Sequence, residues 1–272
     1  MWPYPVFDPV AISLGPISIH WYALSYLVGI GCVWWRLNVR ANASKDRYSW
    51  SEEQVSDLVF YAVFGIIFGG RIGYMLFYGR DQIMDDPLVL LKVWQGGMSF
   101  HGGMLGVFVA MWVYARWNKR TFFEISDYIA PSVPIALGFG RIGNFINGEL
   151  PGRVTDVPWA AIYPGDVVGR HPSSLYQALT EGLILFGVLW IFNRSEKPRM
   201  AISGLFLLSY GVLRFTTEFF REPDAHMGFV AFGWASQGQL LSLPMIAIGL
   251  GFILYSYRNG GYRNGSDKKS FA

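Results

Sequence analysis

The 272-residue chain has one cysteine, few charged side chains and no clustered metal ligands. Cys32 alone excludes an internal disulfide framework, and its place inside an apolar run is typical of a small buried hydrophobe rather than a nucleophile. His and Cys residues are never close enough in sequence to suggest a metal site, so we expect neither a metal nor a cofactor. No basic tract interleaved with aromatic residues occurs, which argues against nucleic acid as a partner. No Lys or Arg precedes the first apolar run, so we expect that run to stay as an anchor and not to be cleaved as a signal peptide.

Apolar residues are abundant, because 52% of the chain is hydrophobic and only 15% is charged. Apolar runs of about 20 residues, the length that crosses a bilayer, recur along the whole sequence. The candidate runs are 17–36, 55–78, 98–117, 125–147, 172–193, 201–220 and 237–257. They predict an all-α integral membrane protein with seven transmembrane helices, built as a single polytopic membrane domain over residues 1–272.

The Lys and Arg residues between the runs predict the orientation. Fourteen of them follow runs one, three, five and seven, whereas five lie in the other connections. Cytoplasmic loops carry the excess of Lys and Arg, so the N-terminus is expected outside and the C-terminus in the cytoplasm. The connection 148–171, rich in Pro and Gly, then forms a small cap on the outer side between helices four and five. The polar tail 258–272 is expected to be disordered.

The stretch 138–151 ends the fourth run and carries Arg141, Asn144 and Glu149. An arginine at mid-membrane costs about 2.5–3.5 kcal/mol on the insertion scale, so a chain that keeps one usually uses it. One interpretation is a structural counter-ion for an acid on a neighbouring helix, and the other is a ligand-binding group. The glycines of this stretch spell G-x-G-x-x-G, but no strand precedes them, so a dinucleotide site is discarded.

Polar residues of other runs collect at the same outer level. Run one carries Tyr22, run two carries Arg71 in its outer half, and run three opens with His101. Run six carries Tyr210, Arg214, Glu218 and, just after its end, Arg221, at spacings that share one helix face. Two arginines at the outer lipid level suit a lipid phosphate, because the guanidinium fork matches phosphate oxygens. Glu218 has the alternative role of only holding Arg214 in place.

His101 lies between glycines, which leave room for a bulky substrate beside its ring. Imidazole has an unperturbed pKa of about 6.5 and accepts protons near neutral pH. A histidine at a helix mouth is otherwise a hydrogen-bonded structural group, but beside two arginines we interpret His101 as a candidate base.

A four-residue echo occurs at a spacing of seventy. Gly-Arg-Ile-Gly at 70–73 returns at 140–143. Parallel internal repeats occur in membrane proteins, and a chance identity is the alternative.

Four motifs resemble the prolipoprotein diacylglyceryl transferases of the bacterial inner membrane. They are His101-Gly-Gly, Gly140-Arg-Ile-Gly-Asn-Phe-Ile-Asn-Gly-Glu149, His171-Pro-Ser-Ser-Leu-Tyr176 and Arg214-Phe-Thr-Thr-Glu-Phe-Phe-Arg-Glu-Pro-Asp224. The likeness covers nearly the whole chain, including His20-Trp-Tyr22 and the seven-run layout. No motif position departs from the family pattern.

The resemblance implies an activity, its partners and a location. The family moves the diacylglyceryl group of phosphatidylglycerol onto the lipobox cysteine thiol of a preprolipoprotein, which forms a thioether and releases glycerol phosphate. This implies a multi-pass protein of the bacterial inner membrane with its active site near the periplasmic leaflet. Its partners are phosphatidylglycerol, a preprolipoprotein signal peptide with a lipobox cysteine, and the lipid bilayer.

The resemblance also implies residue roles. Arg141 binds the head group, Asn144, Glu149 and Gly152 shape that site, and Arg214 stabilises the departing phosphate with support from Glu218. Tyr22 and Tyr210 match tyrosines associated with function, Arg221 belongs to the substrate site, and His101 matches the family's important histidine.

Two other functions remain open at this stage. One is a transporter or receptor for an anionic ligand, although transporters tend to place their charges near mid-membrane on broken helices. The other is a different intramembrane lipid transferase such as an O-acyltransferase, whose product contains an ester where the leading hypothesis requires a thioether.

Overall fold

The computed structural model of the chain describes residues 1–15, 17–43, 49–223 and 228–259, which are mostly helical. Three helices are long and apolar enough to cross a membrane, namely Glu52–Phe77, Ser173–Phe192 and Gln237–Asn259, and a bent pair of helices makes a fourth candidate. This confirms the expected class of an all-α membrane protein. The count of seven spans and the orientation stay predictions. Residues 260–272 of the predicted disordered tail lie outside the described residues.

The described elements follow in chain order. The strands are β1 (Trp2–Pro3), β2 (Val10–Leu14), β3 (Ile17–His20) and β4 (Ala161–Ile162). The helices are α1 (Trp21–Asn42), α2 (Glu52–Phe77), α3 (Arg80–Asp85), α4 (Phe100–Trp117), α5 (Phe122–Ile129), α6 (Val133–Ile146), α7 (Ser173–Phe192), α8 (Ala201–Thr217) and α9 (Gln237–Asn259). Short 3-10 turns span Pro87–Leu91, Val93–Gln95 and Glu218–Phe220. Contacts divide the chain into two compact units, a first unit of Met1–Arg36 with Asp127–Ala272 and a second unit of Leu37–Ser126.

The first predicted run begins as a strand and not as a helix. Strand β3 (Ile17–His20) pairs antiparallel with β2, and α1 begins only at Trp21. The segment Ile-Ser-Ile-His alternates apolar and polar residues with the period of a strand, which a count of apolar residues does not register. The start of the first helix is therefore four residues later than predicted.

The fourth predicted run is two helices and not one. Helices α5 and α6 meet at a bend of 56°. Pro131 and Pro134 lie at this break, and α6 has a proline within its first two positions. Proline lacks a backbone N–H and disfavours the helical conformation of the residue before it, so a helix ends here and another begins.

In the second unit, α2 and α4 pack along a seam of glycines. A Cβ atom added at Gly73 would lie 2.8 Å from the Cα atom of Gly102, and one added at Gly69 would lie 2.8 Å from the Cα atom of Gly106. Small residues let membrane helices approach this closely. Gly102 lies inside α4 and serves this packing.

The same unit contains a buried arginine that ties down a loop. Arg71 is 2% exposed, and its Nη2 atom donates to the carbonyl oxygen of Val89 at 2.6 Å. Its Nη1 atom donates to the carbonyl oxygens of Gly96 and Gly97. Arg71 thereby joins α2 to the segment that leads into α4.

In the first unit, side chains from distant parts of the sequence fix the ends of the helices that carry the site. The Asp127 carboxylate accepts hydrogen bonds from the backbone N–H groups of Met200 at 2.7 Å and Ser203 at 2.8 Å, so it caps the start of α8. The Tyr4 hydroxyl donates to the last carbonyl groups of α6, at Phe145 and Ile146. These contacts hold the ends of α6 and α8 in place.

Candidate functional site

Five charged side chains of α6, α7, α8 and the segment that directly follows α8 form one continuous chain of ion pairs. Arg141 Nη2 lies 2.9 Å from Glu181 Oε2, and the other oxygen of Glu181 lies 3.4 Å from Arg214 Nη1. Arg214 Nη2 lies 2.9 Å from Glu218 Oε2. The Glu218 Oε1 atom lies 3.1 Å from Arg221 Nη1. Signs alternate along this ion-pair chain, with a cation at each end.

The carboxylates of the ion-pair chain are buried more deeply than its guanidinium groups. The side chains of Glu181 and Glu218 are 0% and 2% exposed, whereas those of Arg141, Arg214 and Arg221 are 20%, 13% and 12% exposed. Buried charges need partners, and here each carboxylate has two. Three arginines against two glutamates leave one surplus positive charge at the more accessible side, which suits an anionic ligand.

The ion-pair chain needs α6 and α7 to lie close together, and two glycines allow this. A Cβ atom added at Gly182 would lie 2.8 Å from the Cα atom of Gly138. Gly138 lies one helical turn before Arg141, and Gly182 follows Glu181 directly. Helix α7 is also π-helical over Ala178–Ile184, a rare conformation that is frequent at functional sites.

The other two glycines of the motif face α1. A Cβ atom added at Gly140 would lie 3.2 Å from Tyr26 Cζ, and one added at Gly143 would lie 3.3 Å from Tyr22 Cδ2. The two tyrosine hydroxyls are 3.3 Å apart. The G-x-G-x-x-G pattern therefore seats neighbouring helices against α6, which agrees with discarding a dinucleotide site.

A polar turn follows α6. The amide of Asn144 donates to Glu149 Oε2 at 2.7 Å, and the amide of Asn147 donates to Glu149 Oε1 at 3.1 Å. Gly148 has a φ of 68°, a left-handed conformation that favours glycine and lets the chain turn back. The Tyr22 hydroxyl lies beside Asn144 and Glu149. The structure thus brings Tyr22, Asn144 and Glu149 together, with Glu149 exposed.

Tyr210 joins the polar region to the ion-pair chain. Its hydroxyl lies near the guanidinium groups of Arg141 and Arg214, and its ring stacks on Phe206 with 5.9 Å between the centroids. Because Tyr210 precedes Arg214 by one helical turn, both side chains lie on one face of α8. The residues that sequence reasoning placed on one face of run six lie together.

Gly152 takes part through its backbone. Its N–H donates to the His171 carbonyl oxygen at 2.9 Å, and its own carbonyl oxygen accepts a hydrogen bond from Arg170 Nη1 at 3.2 Å. A Cβ atom added there would lie 2.6 Å from the Phe220 carbonyl oxygen. Gly152 also forms a β-bridge with Arg221. Its contribution is to join the cap to the segment that carries Arg221.

His101 lies in the second unit, where it is the exposed second residue of α4. The Ser99 hydroxyl accepts a hydrogen bond from the Gly102 N–H at 3.2 Å and caps this helix. The His101 ring meets the Phe100 ring edge to face at 5.7 Å. Its role as a base stays a prediction.

Sequence reasoning missed Glu181, the residue that joins Arg141 to Arg214. A signal was present, because Glu181 is the only charged residue between 172 and 193. An ionisable residue inside an apolar run is itself a functional-site hypothesis. In the described part of the chain, no three His, Cys, Asp or Glu side chains gather as a metal site requires.

Comparison with known proteins identifies similar chains. A family model described as prolipoprotein diacylglyceryl transferase matches residues 9–255. The chain is 55% identical over 260 residues to the phosphatidylglycerol–prolipoprotein diacylglyceryl transferase of Azotobacter vinelandii, which covers 95% of this chain and 97% of that protein. It is 52% identical over 272 residues to the protein of the same name from Acinetobacter baumannii, covering 98% and 99% of the two chains.

Proposed function

The chain belongs to the prolipoprotein diacylglyceryl transferase family, and from this premise we propose that it moves the diacylglyceryl group of phosphatidylglycerol onto the lipobox cysteine thiol of preprolipoproteins. A thioether forms and glycerol phosphate is released. This is the first step of bacterial lipoprotein maturation. The resemblance that the sequence motifs indicated is confirmed by the family match and the relatives.

The observation that carries the proposal is the surplus positive charge of the ion-pair chain. Phosphatidylglycerol presents one negative phosphodiester, and the guanidinium fork matches phosphate oxygens in geometry as well as in charge. In this proposal Arg141, at one end of the ion-pair chain, binds the head-group phosphate. Arg214, which Glu218 holds at 2.9 Å, neutralises the charge that grows on the phosphate as it leaves.

The reaction exchanges a carbon–oxygen bond for a carbon–sulfur bond. The thiolate of the peptide attacks the glyceryl carbon that bears the phosphate, and the phosphate oxygen departs with the electron pair of the broken bond. A free thiol has a pKa of about 8.5, so it must lose its proton to react at neutral pH. His101 or a water activated by an arginine accepts this proton. The protein itself supplies no nucleophile.

The remaining site residues shape the head-group site and hold the arginines in position. Asn144 and Glu149 form the head-group site beside Tyr22, and Tyr210, whose hydroxyl lies near the Arg141 guanidinium, helps to orient it. Arg221 completes the ion-pair chain through Glu218. Gly152 belongs to the substrate site only through the backbone junction that places Arg221.

We place the protein in the bacterial inner membrane, with seven spans, a periplasmic N-terminus, a cytoplasmic C-terminus and the active site near the periplasmic leaflet. Helices α1, α4 and α8 support the count, because they occupy the remaining three predicted runs with 22, 18 and 17 residues. These lengths fall in the range of about 17–25 residues that spans a bilayer. The excess of Lys and Arg after the odd-numbered runs supports the orientation.

Mass spectrometry of a lipobox peptide tests this function. The purified protein is incubated with phosphatidylglycerol and the peptide in buffer with a metal chelator, and a peptide with Ser in place of Cys serves as the control. We expect the cysteine peptide to gain a diacylglyceryl group, and alkaline treatment to remove its acyl chains while leaving glyceryl on sulfur. An unmodified cysteine peptide, or an ester on the serine peptide, would contradict the proposal. Uptake of a labelled anion into proteoliposomes would favour a transporter.

A further inference from the structure

We propose that Glu181 is a positioning residue that sets the spacing of Arg141 and Arg214 and limits the surplus charge of the ion-pair chain to one. This inference rests on the proposed function, because it concerns the phosphate of that substrate and of its product. A surplus of one positive charge matches a singly charged phosphodiester. Because Coulomb attraction grows with the charge of the site, a surplus held at one retains the doubly charged phosphomonoester product less tightly than a surplus of two would, which assists its release.

A single carboxylate holds both guanidinium groups. Glu181 Oε2 lies 3.0 Å from Arg141 Nε and 2.9 Å from Arg141 Nη2, so it meets one whole edge of that guanidinium. Glu181 Oε1 faces Arg214 Nη1 at 3.4 Å. The Glu181 side chain is 0% exposed, so water does not substitute for it. Without this carboxylate, two cations on separate helices would face each other.

The backbone fixes where this carboxylate lies. Glu181 is inside the π-helical stretch of α7, and the next residue, Gly182, is in direct backbone contact with Gly138 of α6. A Cβ atom added at Gly182 would meet backbone, which cannot rotate aside as a side chain can. The distance between α6 and α7, and with it the reach of Glu181 to Arg141, is therefore set by close helix packing.

The charge of the product differs from that of the substrate. A phosphodiester carries one negative charge, whereas a phosphomonoester has a second pKa of about 6 and carries about −1.5 to −2 at pH 7. The ion-pair chain has three arginines and two glutamates, so the substrate neutralises it and the product exceeds it. Replacing Glu181 with a neutral residue would raise the surplus to two and favour retention of the product.

The Glu181→Gln variant tests the charge, because it keeps the shape of the side chain. We expect the inhibition constant of glycerol phosphate to fall about tenfold or more, because an added unit charge a few ångströms away acts strongly in a partly buried site. We expect kcat to fall about hundredfold through misplaced arginines and slower release, while KM for phosphatidylglycerol does not rise. A purely structural residue would lower thermal stability without tightening product binding.

Glu181→Asp separates position from charge. It keeps the charge but shortens the reach by one methylene, so we expect product inhibition like that of the wild type together with a kcat lowered about tenfold. Gly182→Ala is expected to lower kcat in the same way, because its Cβ atom would push α6 from α7. Gly187→Ala is the matched control in the same helix, since a Cβ atom there has nothing within 4 Å.

A direct measurement of glycerol phosphate binding tests the role of Glu181 independently of turnover. Glycerol phosphate is titrated calorimetrically into the wild type and into Glu181→Gln, with thermal unfolding measured on both. A folded Glu181→Gln protein with unchanged kcat and unchanged glycerol phosphate affinity would overturn the proposal. If Glu181→Gln does not fold, a Glu181→Asp protein with wild-type kcat overturns it, and one with lowered kcat and wild-type product affinity supports it. If the wild type forms no thioether the proposed function fails, and the binding comparison still decides the role of Glu181.

Discussion

The same four residues, Gly-Arg-Ile-Gly, begin at Gly70 and again at Gly140, yet their arginines are used differently. Arg71 is 2% exposed and donates to three backbone carbonyl oxygens of a nearby loop. Among the described residues no carboxylate pairs with it. The Arg141 side chain is 20% exposed and pairs with the Glu181 carboxylate through two of its nitrogens. Arg71 is a clamp within the protein, and Arg141 lies at one end of the ion-pair chain.

This difference teaches that an arginine in an apolar helix is not by itself evidence of a ligand. Carbonyl oxygens of one loop pair with both terminal nitrogens of Arg71 inside the protein, without a ligand. Arg141 belongs to the ion-pair chain, whose three arginines exceed its two glutamates by one positive charge. Its side chain is 20% exposed. Partners and exposure, rather than the motif, separate a clamp from a candidate binding residue.

The largest effect is expected from Arg141→Ala. Removing a charged donor from a site that stabilises developing negative charge costs about 10²–10³-fold in kcat, and here the binding of the lipid head is lost as well. We expect turnover in the peptide assay to become undetectable while the protein stays inserted and folded. Arg194→Ala is the matched control, because the Arg194 guanidinium lies over the Trp190 ring at 4.0 Å and outside the site. Full activity of the Arg141 variant would remove Arg141 from the mechanism.

Arg71→Ala is expected to affect stability instead of catalysis. The substitution leaves the buried carbonyl group of Val89 without its donor, which costs about 1–3 kcal/mol, and it also removes the hydrogen bond to the Gly96 carbonyl group. Thermal unfolding in detergent should shift to lower temperature, and proteases should cleave the loop 86–97 faster. Turnover per folded molecule should fall less than tenfold. A turnover loss like that of Arg141→Ala, with unchanged stability, would break the distinction between clamp and binding residue.

The final glycine of each motif sharpens the comparison. A Cβ atom at Gly73 would meet the Gly102 backbone at 2.8 Å, so Gly73→Ala should destabilise the protein by about 1–3 kcal/mol. A Cβ atom at Gly143 would meet the side chains of Ser25 and Tyr22, which are able to shift. Gly143→Ala should therefore cost less stability but lower kcat about tenfold by moving Tyr22. Parallel measurements of thermal stability and kcat test this, and the opposite ranking would contradict it.

The smallest expected effect is a change in folding stability as the pH is lowered. Burial lowers the pKa of the His171 imidazole from 6.5, so folding stability is full above that pH and decreases as the pH falls toward the lower folded-state value. The hydrogen bond from Lys92, with one from the Leu88 N–H, lowers the pKa of Asp86 from 3.8, so its contribution persists above that pH and is lost below it.

Hydrogen exchange at decreasing pH measures this difference. The amides of Gly152 and of other cap residues near His171 should lose protection as the pH falls below 6.5, before the amides of the loop that Arg71 holds. His171→Phe should remove the early loss. Simultaneous loss in both segments, or an early loss that persists in the variant, would contradict the assignment.

Much of the site was predictable because charge is rare in apolar runs. Arg141, Arg214 and Glu218 are visible for that reason, and helical spacing correctly placed Tyr210 and Arg214 on one face. Glu181 is identifiable by the same rule. It lies in the interior of its run and not with the polar residues at the outer level, so the predicted site did not include it. The strand at Ile17–His20 and the break before α6 were missed because a count of apolar residues ignores period and proline.

By itself, the sequence determined the membrane class, the family and the set of ionisable residues inside apolar runs, because composition and motifs are local properties. Tertiary structure alone decided which of these residues meet. Arg141 and Glu181 are 40 positions apart, and Arg214 and Glu181 are 33 apart. A helical pattern states which face a side chain occupies but not which helix packs against that face. The close backbone approach of Gly138 and Gly182 packs α7 against α6 and brings Glu181 to Arg141. Arg71 instead meets backbone carbonyl groups of a loop and acts as a clamp.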